Sequence, residues 1–319
     1  MSDANQPLLR VEDLVVRFPI AGRQYIRPVD GVSFAIAPGE VLSLVGESGS
    51  GKSTIGKALV RMVEPAGGTI EVNGQDVTHI RGRRIKDYRE NVQMVFQDPF
   101  GSLNPVRTVE QHLAFPLRKH RMDKTVNVNA KIDELLEKVG LTPVADTRQK
   151  FPHELSGGQR QRVAIARALA VNPKFVVADE PISMLDVSIR AGILKLMNDL
   201  RADMNLAFLY ITHDLASARY IGNRIMVLYG GKVMETAPSD ELLRHPSHPY
   251  TRLLLAATPG SRHQGDLPET SNTAPNLVEG RRGCPFASRC PLVTSECHEV
   301  EPALTTLGDN HSVACHHPA

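Results

Sequence analysis

The stretch Gly46-Glu47-Ser48-Gly49-Ser50-Gly51-Lys52-Ser53-Thr54 fits the pattern GxxxxGK[ST] in full and sits between two segments that give the pattern its meaning. Before it, Val41-Leu42-Ser43-Leu44-Val45 is apolar and β-branched enough for a buried parallel strand. After it, Ile55, Leu59 and Met62 recur at helical spacing. Glycines let the backbone curl with its N–H groups inward, and the helix opening near Lys52 points its positive dipole end into the same hollow. A polyphosphate suits that hollow. Lys52 would reach its β- and γ-phosphates, and the Ser53 hydroxyl would take a position on Mg²⁺.

A chain of 319 residues holds one large α/β domain plus an appendage, or two domains, but not two copies of a nucleotide domain. The near-balanced charge, +2, argues against a surface built to coat nucleic acid. Met1 to Arg10 has no apolar signal region, and no apolar run approaches the ~18 to 20 residues of a spanning helix, so the chain is expected in the cytosol, docking on any membrane partner from that side.

Leu14, Val16 and Phe18 alternate in a strand from Leu9 to Phe18, paired with Val32 to Ile36 across a loop from Pro19 to Pro28. Phe18 could lay its ring on a purine, with Tyr25 as a second candidate. Asn73-Gly74 is a hairpin turn signal, which puts small antiparallel strands beside the main sheet. Arg81, Arg83, Arg84 and Lys86 fall on a short solvated helix, and Val92 to Phe96 is a buried strand ending at Gln97.

From about 99 to 160 the pattern turns helical, with a stripe of Ile132, Leu135, Leu136 and Val139 closed by Gly140. Ser156 and Gln159 form a capping box around Gly157 and Gly158, which leave a helix end stripped to bare N–H donors, a second anion site. One nucleotide cannot easily use both helix ends of a single chain, whereas a second copy or partner facing the other way could supply one of them. Phe175 to Ala178 is a buried strand delivering Asp179 and Glu180 at its carboxyl end, where doubly wound sheets bind ligands. Asp179 would hold Mg²⁺ through water, and Glu180 would polarise an attacking water. His213, at the end of the next strand, could reach the γ-phosphate. Arg224 to Tyr229 and Lys232 to Glu235, joined by Gly230-Gly231, are expected to close the sheet edge.

The phosphate loop, Gln97, Leu155-Ser156-Gly157-Gly158-Gln159, Phe175 to Glu180, Ser183-Met184-Leu185-Asp186 and His213 resemble, in order and spacing, an ABC-type ATPase subunit from Leu8 to about Ala257. The resemblance implies a P-loop NTPase fold of class α/β, with a RecA-like core, an antiparallel β subdomain and a helical insertion. It implies an ATPase whose nucleotide is sandwiched in a head-to-tail dimer, between the loop of one subunit and the Ser156–Gln159 helix end of the other. Gln97 resembles the residue linking Mg²⁺ and water to the helical insertion. Asp186 resembles the one that meets the opposing subunit, and Phe18 sits where an adenine-stacking aromatic is found. Met184, in place of a commoner small residue, is a mild departure.

Gln97 to Pro105 and His248-Pro249-Tyr250-Thr251-Arg252-Leu253-Leu254, with a cysteine tail, look like the ATPase subunits of oligopeptide and dipeptide permeases, a family that also includes importers of nickel chelates and oligosaccharides. This implies a second, non-identical ATPase, two membrane permeases and an extracytoplasmic binding protein, with the chain on the cytoplasmic face of the inner membrane. A soluble ABC-type ATPase of DNA repair or translation is the competitor. It is opposed by the lack of a long heptad coiled coil and of a second ATPase domain.

All four cysteines lie beyond residue 283, as Cys284-x5-Cys290-x6-Cys297-x17-Cys315. Such a set suits Zn²⁺ or a [4Fe–4S] cluster, with His298, His311, His316 and His317 near enough in sequence to compete as ligands. The family resemblance favours the cluster. Residues 1–258 are therefore expected to form the nucleotide-binding domain, and 259–319 a linker, Pro259 to Arg282, followed by a small tail that needs its metal as a staple.

Overall fold

The computed structural model describes residues 6–120, 122–258, 275–308 and 310–318, so most of the expected linker, 259–274, lies outside the described residues. The chain divides into two units, Met1–His79 with Tyr210–Ala319, and Ile80–Leu209.

In the first unit, alternation along the N-terminal segment gives the strand Leu9–Pro19, which buries Leu9, Val11, Leu14 and Val16. Its partner starts at Tyr25 rather than at Val32: the pairing runs on through Phe18↔Ile26 and Pro19↔Tyr25, so only a short turn remains of the expected loop. Pro28 falls where the register slips between Val16 and Phe18, a bulge in which its missing N–H breaks no ladder. Gly67–Val72 and Gln75–Asp76 complete this antiparallel sheet around Asn73 and Gly74, both at positive φ, as a tight hairpin turn requires.

The second sheet of this unit runs Thr305–Gly308, His311–Val313, Lys232–Pro238, Arg224–Tyr229, Val41–Val45. Val41–Val45 is wholly buried and parallel to Arg224–Tyr229, with Val45 opposite Val227. Lys232–Pro238 does not close the edge. Glu235 pairs with Val313 and Thr236 with Ser312, so the cysteine-bearing tail adds two strands to the sheet. The helix after the phosphate loop, Lys52–Leu59, buries Ile55 and Leu59. Met62 leaves the expected stripe because Arg61 turns the chain out at φ 58°, and Met62 is exposed.

In the second unit Val92–Val95 and Phe175–Asp179 are parallel neighbours, and Ala207–Thr212 carries the chain across the division. The helices Val109–Lys119, Val128–Lys138 and Gly157–Leu169 bury Leu113, Leu117, Ile132, Leu136 and Val163 against one another. Gly140, at φ 68°, ends the second of them as read from its stripe. Arg148 ties Glu110 to Asp133 at 3.2 and 2.8 Å. Among the described residues no helix is long and apolar enough to cross a membrane.

Candidate functional site

The loop after Val45 is held in its curl by close approach on both sides. A Cβ on Gly51 would lie 1.9 Å from the Pro28 carbonyl oxygen, and φ there is +106°, so only glycine fits. Gly51 also precedes the first helical residue without a capping side chain, which leaves the helix opening at Lys52, Ser53 and Thr54 lined by backbone N–H groups. The Lys52 ammonium is buried and folds back over the loop, donating to the carbonyls of Gly46 and Glu47, each at 2.7 Å, and to Ser50 Oγ at 3.4 Å. Ser48 and Gly49 form the exposed tip.

Glu47 is anchored by residues far from it in the chain. Its N–H donates to Tyr250 Oη at 3.0 Å. Its carboxylate takes two bonds from Arg289, at 2.7 and 3.0 Å. The hydrogen bond to Glu47 is the largest cause holding the Arg289 guanidinium pKa above its ordinary value. No local signal in the sequence marks a partner 242 residues away.

Phe18 stands exposed at a strand end, opposite Ile26, while Arg17 lies 4.6 Å over the Tyr25 ring. A ring already covered by a guanidinium is the poorer platform for a base, which favours Phe18 of the two candidates. His213 follows the strand Ala207–Thr212 and is exposed.

In the second unit Asp179 is buried at the carboxyl end of its strand, and Glu180 follows at φ 44°. A glutamate in the left-handed region is strained by about 1–3 kcal/mol, a cost that collects at functional sites. The strained carboxylate is held: Gln97 Nε2 donates to Glu180 Oε2 at 3.0 Å, joining two of the expected residues. The segment after Gln97 is tied in turn to the helix Gly157–Leu169, through Arg167 to the Ser102 carbonyl at 2.6 Å and Arg160 stacked 4.1 Å over Phe100.

That helix opens with the expected box. Ser156 Oγ accepts from Gln159 N–H and Gln159 Oε1 accepts from Ser156 N–H, while Gly157 and Gly158 remain bare. A Cβ on Gly158 would meet Ile189 Cγ2 at 2.6 Å, and one on Gly157 would touch Leu185 at 3.6 Å. The glycine end therefore lies against the residues flanking Asp186, which is exposed and makes no capping bond to its own helix, Val187–Met204.

The tail corrects a sequence expectation. Cys284, Cys290, Cys297 and Cys315 line one narrow pocket with Phe286 and Leu292, as free thiols. Burial pushes Cys284 up to about 11 and raises Cys290 and Cys315 as well. Among the described residues no group of three or more His, Cys, Asp or Glu is gathered to hold a metal ion. The expected iron–sulfur cluster is overturned on that finding, which also leaves zinc without a donor group. The tail is stapled by packing instead. Phe286 meets Tyr229 edge-on at 5.3 Å and Tyr250 at 5.2 Å, and His311 Nε2 lies 2.8 Å from the buried Glu235 carboxylate.

Comparison with known proteins gives two family matches, an ABC transporter model over residues 29–183 and the oligopeptide/dipeptide transporter C-terminal region over 234–297. The oligopeptide transport ATP-binding protein AppF of Bacillus subtilis is 42% identical over 99% of both chains. The di/tripeptide transport ATP-binding protein DppF of Pseudomonas aeruginosa is 39% identical over 98% of both. Among solved structures, a dimeric post-hydrolysis state of the ATP-binding cassette MJ0796 bound to ADP and Pi superposes with a TM-score of 0.65 at 28% identity, covering 72% of this chain and 98% of that one.

Proposed function

As the chain belongs to the ABC transporter ATP-binding proteins and shares their oligopeptide/dipeptide C-terminal region, we propose that it is the ATP-hydrolysing subunit energising import of oligopeptides or dipeptides. The observation that carries the reading is the hydrogen bond from Gln97 to Glu180, because it holds the water-polarising carboxylate on a residue just before the helical segment.

In this reading Gly46, Ser48, Gly49, Ser50, Gly51, Lys52, Ser53 and Thr54 bind the triphosphate and Phe18 stacks on the adenine. The oxygens of Ser53, Gln97 and Asp179 are hard donors that suit Mg²⁺, which neutralises phosphate charge when bound. Gln97 gives its amide N–H to Glu180, so its amide oxygen is the atom suited to a cation. Water attacks the γ-phosphorus and its proton passes to Glu180. The bond to the bridging oxygen breaks, and ADP and phosphate leave, with Lys52 and His213 stabilising the transferring group.

Ser156, Gly157, Gly158, Gln159 and Asp186 serve the nucleotide of a second ABC ATPase subunit, a non-identical one in the permease arrangement. The dimeric state described for MJ0796 supports such pairing. Two transmembrane permeases and, through them, an extracytoplasmic binding protein complete the assembly, with this chain on the cytoplasmic face of the inner membrane and no nucleic acid involved.

Glu180→Gln tests the chemistry. It is expected to leave MgATP binding within about twofold and to lower hydrolysis by at least about 100-fold, read by phosphate release. A variant hydrolysing at the parental rate would overturn the assignment. Peptide uptake in vesicles holding the whole transporter tests the cargo. Uptake of a nickel chelate or an oligosaccharide in place of peptide would keep the ATPase and replace the peptide.

A further inference from the structure

Glu47 is fixed at four atoms. Its carbonyl oxygen accepts from the Lys52 ammonium, its N–H donates to Tyr250, and its carboxylate is gripped by both terminal nitrogens of Arg289. Close packing against Leu228 and Pro28 sets the loop at Gly46 and Gly51. Between those fixed points the course of the chain depends on Glu47. Tyr250 and Arg289 both lie in the stretch matching the oligopeptide/dipeptide C-terminal region, which therefore touches the phosphate loop directly.

Arg289 is built to hold its pose. Its side chain is 9% exposed, and its guanidinium carbon lies 5.7 Å from the Tyr229 ring centre and 5.8 Å from that of Phe286. Nη1 also donates to Tyr229 Oη at 3.4 Å. A planar fork packed against two rings meets a carboxylate with little further loss of freedom, which a lysine ammonium cannot reproduce. The pair also cancels a negative charge on the very loop that is to receive a triphosphate.

We propose that Arg289 is a positioning residue for the nucleotide, acting through Glu47: the C-terminal region holds the phosphate loop in its binding shape and neutralises the carboxylate that would repel the phosphates. This rests on the reading of the loop as an ATP site. Arg289 touches no phosphate in this scheme, so its whole effect on binding must pass through Glu47.

The test is titration of the full chain with a fluorescent ATP analogue and Mg²⁺, for the parent, Arg289→Ala, Glu47→Gln, the double variant and Arg289→Lys. Arg289→Ala, which leaves the Glu47 charge uncompensated, should raise Kd about tenfold, and Arg289→Lys should recover part of that. Glu47→Gln should raise Kd less, and the double variant should return to the Glu47→Gln value. That recovery is something a merely structural arginine would not show. Parental affinity in Arg289→Ala, or a double variant whose loss is the product of the two single losses, would overturn the proposal. Should Arg289→Ala fail to fold, Glu47→Gln and Arg289→Lys decide, and parental affinity in both overturns it. Lys52→Ala is the separate control. If it binds as the parent does, the ATP reading itself fails, and the clamp with it.

Discussion

His248 is a side chain whose titration the fold shifts far. It is 1% exposed, it caps the helix Pro249–Ala256 by accepting the Tyr250 N–H at Nδ1, and its ring lies 5.9 Å from Phe286. Burial pushes its pKa down from 6.5 to about 4. The imidazole is thus neutral when folded, whereas the unfolded chain takes up a proton below pH 6.5. Stability from this residue is complete above pH 6.5 and is lost as pH falls from there toward 4. Each pH unit in that window costs about 1.4 kcal/mol, so about 2 kcal/mol goes between pH 7 and pH 5. Other groups titrate over the same range, so the readout is the difference from His248→Asn, which keeps a capping side chain and removes the titration. Urea unfolding at pH 7 and pH 5 should show the parent losing about 2 kcal/mol more than the variant. Equal losses would show that the buried ring does not set the acid sensitivity.

At the scale of the element, the helix Gly157–Leu169 shows what local pattern can and cannot reveal. Its start was legible, because a capping box is a contact between neighbours: Ser156 and Gln159 bond as their spacing requires. The glycines inside the box strip side chains from the first turn and so bare its N–H groups. The structure adds that Gly158 is also where Ile189 packs, a contact set by the fold and invisible in a sequence window. Gly158→Ala would place a methyl group 2.6 Å from Ile189 Cγ2, and relief by shifting the helix end costs about 1–3 kcal/mol. In the proposed scheme that end serves the partner's nucleotide. The variant should therefore bind MgATP within about twofold of the parent yet hydrolyse it at least about tenfold more slowly, with Ile189→Ala in the same chain restoring part of the rate. Phosphate release at saturating ATP checks this, and a Gly158→Ala chain turning over at the parental rate would count against the helix end as a participant.

Across the molecule, what the sequence disclosed was whatever depends on near neighbours: the phosphate loop, the Asn73-Gly74 turn, the stripe ending at Gly140. What it hid depends on chain segments far apart. The early start of the Tyr25 strand follows from its register with Pro19. The pairing of Glu235 with Val313 and the grip of Arg289 on Glu47 join residues tens to hundreds of positions distant. The cysteines misled for the same reason, since their spacing suggested a metal staple where the structure supplies Phe286, a pair of strands and ion pairs. That difference makes a prediction about the whole chain. A protein ending at Thr258 would lose the strand His311–Val313 and uncover the edge of Lys232–Pro238, while Glu235, fully buried, would lose His311. Tyr229 and Tyr250 would lose the ring packed against both, and Arg27 would lose its partner Glu279. An uncovered edge beside an exposed aromatic face is a template for association. The truncated chain should therefore elute as aggregate in gel filtration, with any soluble fraction unfolding about 5 °C below the parent, the shift about 3 kcal/mol produces in a chain of this size. A monomer with the parental midpoint would instead show that the tail is an appendage, and that the phosphate loop keeps its shape without it.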